Sequence, residues 1–133
     1  MLGKLFKKKS CFRRAEALEA GEITSQAFAE LNAEVTVYYS TPFGEDRQGR
    51  TQLWVLSNGE NSLKHYPAFT SKAACNRFLA SIGRQGGFLI IEGDLRALLD
   101  SLDSHEVLMP LGVVIDPMSE HPIALDPGTR VKA

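Results

Sequence analysis

Leucines 95, 98, 99 and 102 repeat with the period of one helix face, and Asp94, a helix-capping residue type, stands directly before them. A helix that short does not hold in water by itself, so something must cover its leucines. A second stretch of the same kind lies upstream. Cys75, Phe78, Leu79 and Ile82 fall at i, i+3, i+4 and i+7, with Ser71 placed to cap a helix from 72 to about 82 and Gly83 to end it. Between the two helices, residues 88–92 (FLIIE) form a short apolar strand, expected to be covered on both faces. Helix, buried strand and helix in succession commit the chain to a layered fold.

The other elements are read from local signals. Residues 35–39 (VTVYY), 51–57 (TQLWVLS) and 63–69 (LKHYPAF) are rich in β-branched and aromatic residues and read as an antiparallel meander, with Asn58-Gly59 in the second loop. Pro67 lacks a ladder donor, which puts it at a strand edge or an irregular point. Near the start, Ala15–Glu19 and Ala20 are good helix formers stopped by Gly21, and Thr24 caps a second helix. Ile23 and Phe28 have the spacing of a hydrophobic staple. The second helix is expected to reach about Glu34 with Phe28 and Leu31 facing inward, unless both pieces are one helix kinked at Gly21. A last hairpin pairs 111–115 with 122–125 across the turn at 116–121. The fold class is α+β: an antiparallel or mixed sheet, made of the three-stranded meander plus C-terminal strands, packed against two to four helices.

Composition bears on partners more than on fold. A 44% hydrophobic share and a net charge of −1 exclude wholesale disorder. The charge is uneven. Lys4, Lys7, Lys8, Lys9, Arg13 and Arg14 crowd the first fourteen residues, leaving nine bases against all 16 acids beyond them. Residues 1–14 are read as a basic arm and 15–133 as a single globular domain. An acidic body is a poor platform for phosphates, so no nucleic acid is expected. Leu2, Leu5 and Phe6 do not make the apolar run of a secretion leader, and no stretch is long enough to span a bilayer, which points to the cytoplasm. If the arm is helical, its leucines and phenylalanines, Phe12 among them, gather loosely opposite the cations. That is a membrane-surface contact, with a solvated tail as the simpler reading.

Chemistry is sparse. Cys11 and Cys75 form no disulfide framework, and Cys75 lies on an inward helix face where a thiol is inert. His65, His105 and His121 have no ligand spacing, so no metal is expected. Glu45-Asp46, Glu92-Asp94 and Asp100-Asp103 are the paired carboxylates. Each falls in a turn, at a helix start or on an outer helix face, where solvated charge is the ordinary explanation, and His105 and Glu106 sit in a loop. Residues 83–87 (GRQGG) lack the Lys-Ser/Thr of a phosphate loop. Trp54, Tyr38 and Tyr39 are candidates for a protein-contact face on the meander.

Several segments together resemble the SseB-type (enhanced serine sensitivity) N-terminal domain. Pro67, Phe69, Thr70 and Ser71 stand at a strand end directly before a helix. An apolar strand then leads through Gly93 and Asp94 into Leu95-Arg96-Ala97-Leu98-Leu99, and Gly112-Val113-Val114-Ile115 ends on Asp116-Pro117 before Pro122-Ile123-Ala124-Leu125. The resemblance spans about residues 25–127. It carries no catalytic mechanism, cofactor or ligand. Its signature residues read as structural: Phe69 a core anchor, Thr70 and Ser71 helix caps, Pro67 a fixed chain exit, and Asp116-Pro117 a turn. The function expected is a bacterial, cytoplasmic, non-enzymatic domain without cofactor or metal that binds another protein or its own copy. The alternatives are a peripheral membrane adaptor held by the arm, and an enzyme or small-ligand binder whose site forms only in three dimensions.

Overall fold

Among the described residues, three α-helices begin at a hydroxyl or carboxylate cap, and the first begins at Arg14 without a side-chain cap bond. The computed structural model describes residues 12–40, 43–45, 51–53, 56–57, 64–81 and 90–131. Helix α1 (Ala15–Glu19) runs out before Gly21, whose φ of 79° suits a residue without a Cβ. A separate helix α2 (Ser25–Leu31) starts at Thr24, whose hydroxyl accepts from the Ala27 N–H at 3.0 Å. These are two helices, not one kinked helix.

Helix α2 stops three residues short of Glu34, and the cause is Asn32. Its side chain, 1% exposed, donates to the Phe28 carbonyl (2.9 Å) and the Arg13 carbonyl (3.0 Å) and accepts from the Arg13 N–H (2.6 Å). A satisfied amide takes the inward place. Leu31, expected inside, is 43% exposed instead. The same contact moves the start of the packed body. Phe12 is buried and stacks on Phe28 with ring centroids 5.6 Å apart, so the packed body reaches back at least to Phe12, within the segment read as an arm. Arg13 and Arg14 are exposed, while Lys4, Lys7, Lys8, Lys9 and Cys11 lie outside the described residues.

The strands are β1 (Thr36–Ser40), β2 (Phe43–Glu45), β3 (Thr51–Leu53), β4 (Leu56–Ser57), β5 (Lys64–Ala68), β6 (Ile90–Asp94), β7 (Gly112–Ile115) and β8 (Ile123–Leu125). Helix α3 (Lys72–Ser81) lies between β5 and β6. Helix α4 (Leu95–Ser101) comes directly after β6 and tightens into a 3-10 turn, Leu102–Ser104. Strand β5 pairs antiparallel with β4 on one side and parallel with β7 on the other, and β8 returns antiparallel to β7. Parallel neighbours need a crossover, and the α3-β6-α4 segment supplies it.

Strand β6 pairs antiparallel with β1, and β1 joins the end of β5 through reciprocal hydrogen bonds between Tyr38 and Phe69 (2.7 and 2.8 Å). The fold is therefore α+β with a mixed sheet, as expected, but the meander is rearranged. Strand β2 pairs antiparallel with β3 and β4 with β5, while β1 pairs with β6. Pro67 sits where β5 changes neighbours among the described residues. Among the described residues, β4 pairs as far as His65 and β1 joins at Phe69.

Side-chain alternation along the strands divides the core into two layers. Val37, Tyr39, Tyr66, Ala68, Val113, Ile115 and Leu125 face α2 and α4, whose Phe28, Leu95, Leu98 and Leu99 fill that side. Tyr38 and Ile90 face the other way, against Phe69, Cys75, Phe78 and Leu79 at the start and inner face of α3. Strand β6 departs from expectation. Ile90 and Ile91 are only half-buried and Glu92 is exposed, because β1 is its only strand neighbour among the described residues.

Candidate functional site

Of the residues that carry the resemblance, Thr70 and Asp116 meet where β5 and β7 end, and Ser71 and Asp94 each cap the helix that follows them. Asp116 takes a left-handed conformation (φ 54°) just after β7, and its carboxylate accepts from the Thr70 N–H (2.9 Å) and the Thr70 hydroxyl (2.8 Å). The Asp116 N–H donates in turn to the Ala68 carbonyl (2.8 Å). Thr70, expected to cap the next helix, therefore ties β5 to the turn after β7. Ser71 alone caps α3, accepting from the Ala74 N–H at 3.1 Å. Phe69 is buried against Phe78, with ring centroids 5.3 Å apart. Asp94 caps α4 by accepting from the Ala97 N–H at 2.8 Å. Pro67 and Pro117 are half-buried.

Gly93 owes its place to Tyr39. A Cβ there would stand 3.1 Å from the Tyr39 hydroxyl oxygen. Tyr39 is buried and packs edge-on to Tyr66, whose own hydroxyl donates to the Ser40 carbonyl at 2.8 Å. The Tyr39 hydroxyl has no hydrogen-bond partner among the described residues. Burial, and secondarily the Asp94 carboxylate, push its phenol above the ordinary value. The folded state thus holds the proton more tightly than the unfolded chain, which releases it near pH 10. The stability linked to this proton is present below about pH 10 and lost as pH rises through the folded pKa. Tyr39→Phe is expected to match or exceed wild-type stability at pH 7, by up to about 1 kcal/mol, and to lose less stability at high pH. Urea denaturation at pH 7 and at about pH 10.5 reads both effects. A variant destabilised at pH 7 would mean that the hydroxyl has a partner after all.

Among the described residues, the candidate chemical groups do not converge. Cys75 is fully buried, His65 half-buried, and Glu92, Asp100 and Glu106 exposed. His105 accepts from the Val107 N–H through Nδ1 at 3.2 Å. Asp103 accepts two bonds from the Arg130 guanidinium (3.0 and 3.1 Å), which hold its carboxyl below the usual range. Asp46 and Trp54 lie outside the described residues, and nothing is described of the Glu45 side chain. Of these candidate contact aromatics, Tyr39 belongs to the core and Tyr38 is half-buried against the α3 layer. Among the described residues, no group of three or more His, Cys, Asp or Glu is placed to hold a metal, and no helix is long and apolar enough to cross a membrane.

Sequence reasoning missed a cleft of about 400 Å³ where α2 passes into β1. Arg13, Glu30, Leu31, Asn32, Glu34 and Arg96 line it. Asn32 fixes its floor, and the Leu95 and Arg96 N–H groups bond to the Val35 and Ala33 carbonyls (3.0 and 2.9 Å), holding α4 against that junction. These residues come from three separate segments, so no local spacing signals them. Comparison with known proteins finds no matching family model, curated protein or solved structure.

Proposed function

We propose that this chain is an SseB-type domain that works in a bacterial cytoplasm by binding protein, either another chain or its own copy, and not by catalysis. The observation that carries this reading is a set of large apolar side chains held out to water. Val107 is 44% and Met109 49% exposed, on either side of Leu108, which is 4% exposed and anchors the loop between α4 and β7. Leu31 and Met118 are exposed as well. Methionine adapts its shape to different surfaces, which suits a docking residue. The hydroxyls and carboxylates of the resemblance support the same reading, since Thr70 and Asp116 bond to each other while Ser71 and Asp94 cap helices.

The test compares wild type with a Val107→Lys/Met109→Lys double variant. Both side chains are exposed, so urea denaturation is expected to show stability within about 0.5 kcal/mol of wild type. Protein capture or self-association, read by pull-down and analytical ultracentrifugation, is expected to fall at least tenfold. A wild-type chain that stays monomeric and captures nothing would overturn the reading.

A further inference from the structure

We propose that the basic segment 1–9 of this chain docks on the Val107/Met109 surface of its own body and competes there with the protein partner. This rests on the protein-binding reading above and adds its regulation. The loop that carries the surface is held in shape from within. Its anchors Leu108 and Leu111 are each 4% exposed. The His105 carbonyl accepts from the Leu108 and Met109 N–H groups (3.0 and 3.2 Å), and the Leu108 carbonyl accepts from the Leu111 N–H (3.0 Å). Val107 and Met109 are thereby turned outward before anything binds, which limits the ordering cost of docking.

Charge selects the occupant. From residue 97 to residue 129 the chain has no Lys or Arg, while Asp100, Asp103, Glu106, Asp116, Glu120 and Asp126 fall there. Asp103 is taken by Arg130 and Asp116 by Thr70. Asp100 and Glu106 are exposed and form no ion pair among the described residues, and Glu106 directly precedes Val107. Residues 1–9 are the chemical complement. Leu2, Leu5 and Phe6 supply apolar contact, and Lys4, Lys7, Lys8 and Lys9 supply positive charge with no acid among them. The segment also starts from the right place, because Phe12 belongs to the same core cluster as Leu108. Residues 1–11 extend at most about 36–40 Å, against a radius of gyration of about 14 Å for a chain this long. So short a tether gives an effective concentration in the mM range, which favours the chain's own segment over that of a second copy. Exposed charges contribute little each, so the contact is weak and salt-sensitive.

The experiment places a nitroxide on Gly3→Cys in the full chain with Cys11→Ser, Cys75 being buried and so protected from the label. At low salt the amide NMR signals of Val107 and Met109 are expected to lose about half their intensity or more, and to recover near 0.5 M salt. Lys7→Glu/Lys8→Glu/Lys9→Glu in the same chain is expected to restore the signals and to raise protein capture or self-association about threefold. Undiminished signals at low salt would overturn the proposal, and flotation of that chain on phosphatidylcholine–phosphatidylserine vesicles would then assign the segment to a membrane. Equal signal loss in a mixture of nitroxide-bearing chains with separate isotope-labelled chains would assign the contact to a second copy and overturn it too. Signals lost without capture by either chain would overturn the protein-binding reading, and the competition with it, while the contact itself stands.

Discussion

Replacing Asp116 with alanine is expected to lower the unfolding free energy by about 3 kcal/mol. Two causes add. The carboxylate accepts both the N–H and the hydroxyl of Thr70, and half-buried bonds of this kind contribute about 1 kcal/mol each. The residue also stands at φ 54°, where aspartate is tolerated but alanine is strained by about 1 kcal/mol. Three substitutions separate the causes. Asp116→Gly loses the bonds without the strain, for about 2 kcal/mol. Asp116→Asn keeps one acceptor and tolerates the left-handed backbone, for about 1 kcal/mol. Urea denaturation should thus order the variants wild type, Asn, Gly, Ala, with the slope on denaturant unchanged. Equal losses for Ala and Gly would remove the backbone term. Losses under about 0.5 kcal/mol for all three would show that the junction does not hold β5 to the turn after β7.

That junction marks where sequence reading stops. Caps are local chemistry, a side chain answering an N–H three residues away, and so Thr24, Ser71 and Asp94 are legible in the chain itself. The leucine face of α4 and the inner face of α3 are legible for a similar reason, since periodicity reports burial without naming what covers it. Partners far apart in the chain leave no such trace. Thr70 and Asp116 are 46 residues apart, and Thr70 next to Ser71 resembles a second cap. Strand β1 reads as the first strand of a meander, yet the α3-β6-α4 crossover brings β6 beside it. Phe12 is hidden inside a cationic run, where charge argues for solvent while one phenylalanine ring docks on Phe28. Asn32 displaces Leu31 from the core because a buried amide with three hydrogen bonds can outrank an apolar residue at a helix end. The cleft depends on the last two of these, being lined by Arg13 next to Phe12 and by Leu31 and Asn32.

Gly112→Ala is expected to destabilise the protein by about 2–3 kcal/mol, against the usual sign for a strand glycine. In an open strand, alanine in place of glycine gains about 0.5–1 kcal/mol through lower chain entropy. Here the added Cβ would stand 2.5 Å from the Leu125 carbonyl oxygen and 2.9 Å from the His65 ring. The ring is the softer obstacle, because rotation about its side-chain bonds moves it aside. The carbonyl is backbone of β8, and Val113 pairs with Leu125, so the last strand must shift to make room. Leu125 is fully buried, and any shift disturbs the layer over α2 and α4. Overpacking therefore outweighs the entropic gain. A His65→Ala/Gly112→Ala double variant decides which obstacle matters, since it is expected to recover less than about 1 kcal/mol of the loss. Full recovery would assign the tight fit to the imidazole alone, leaving β8 free to accept a side chain at this position.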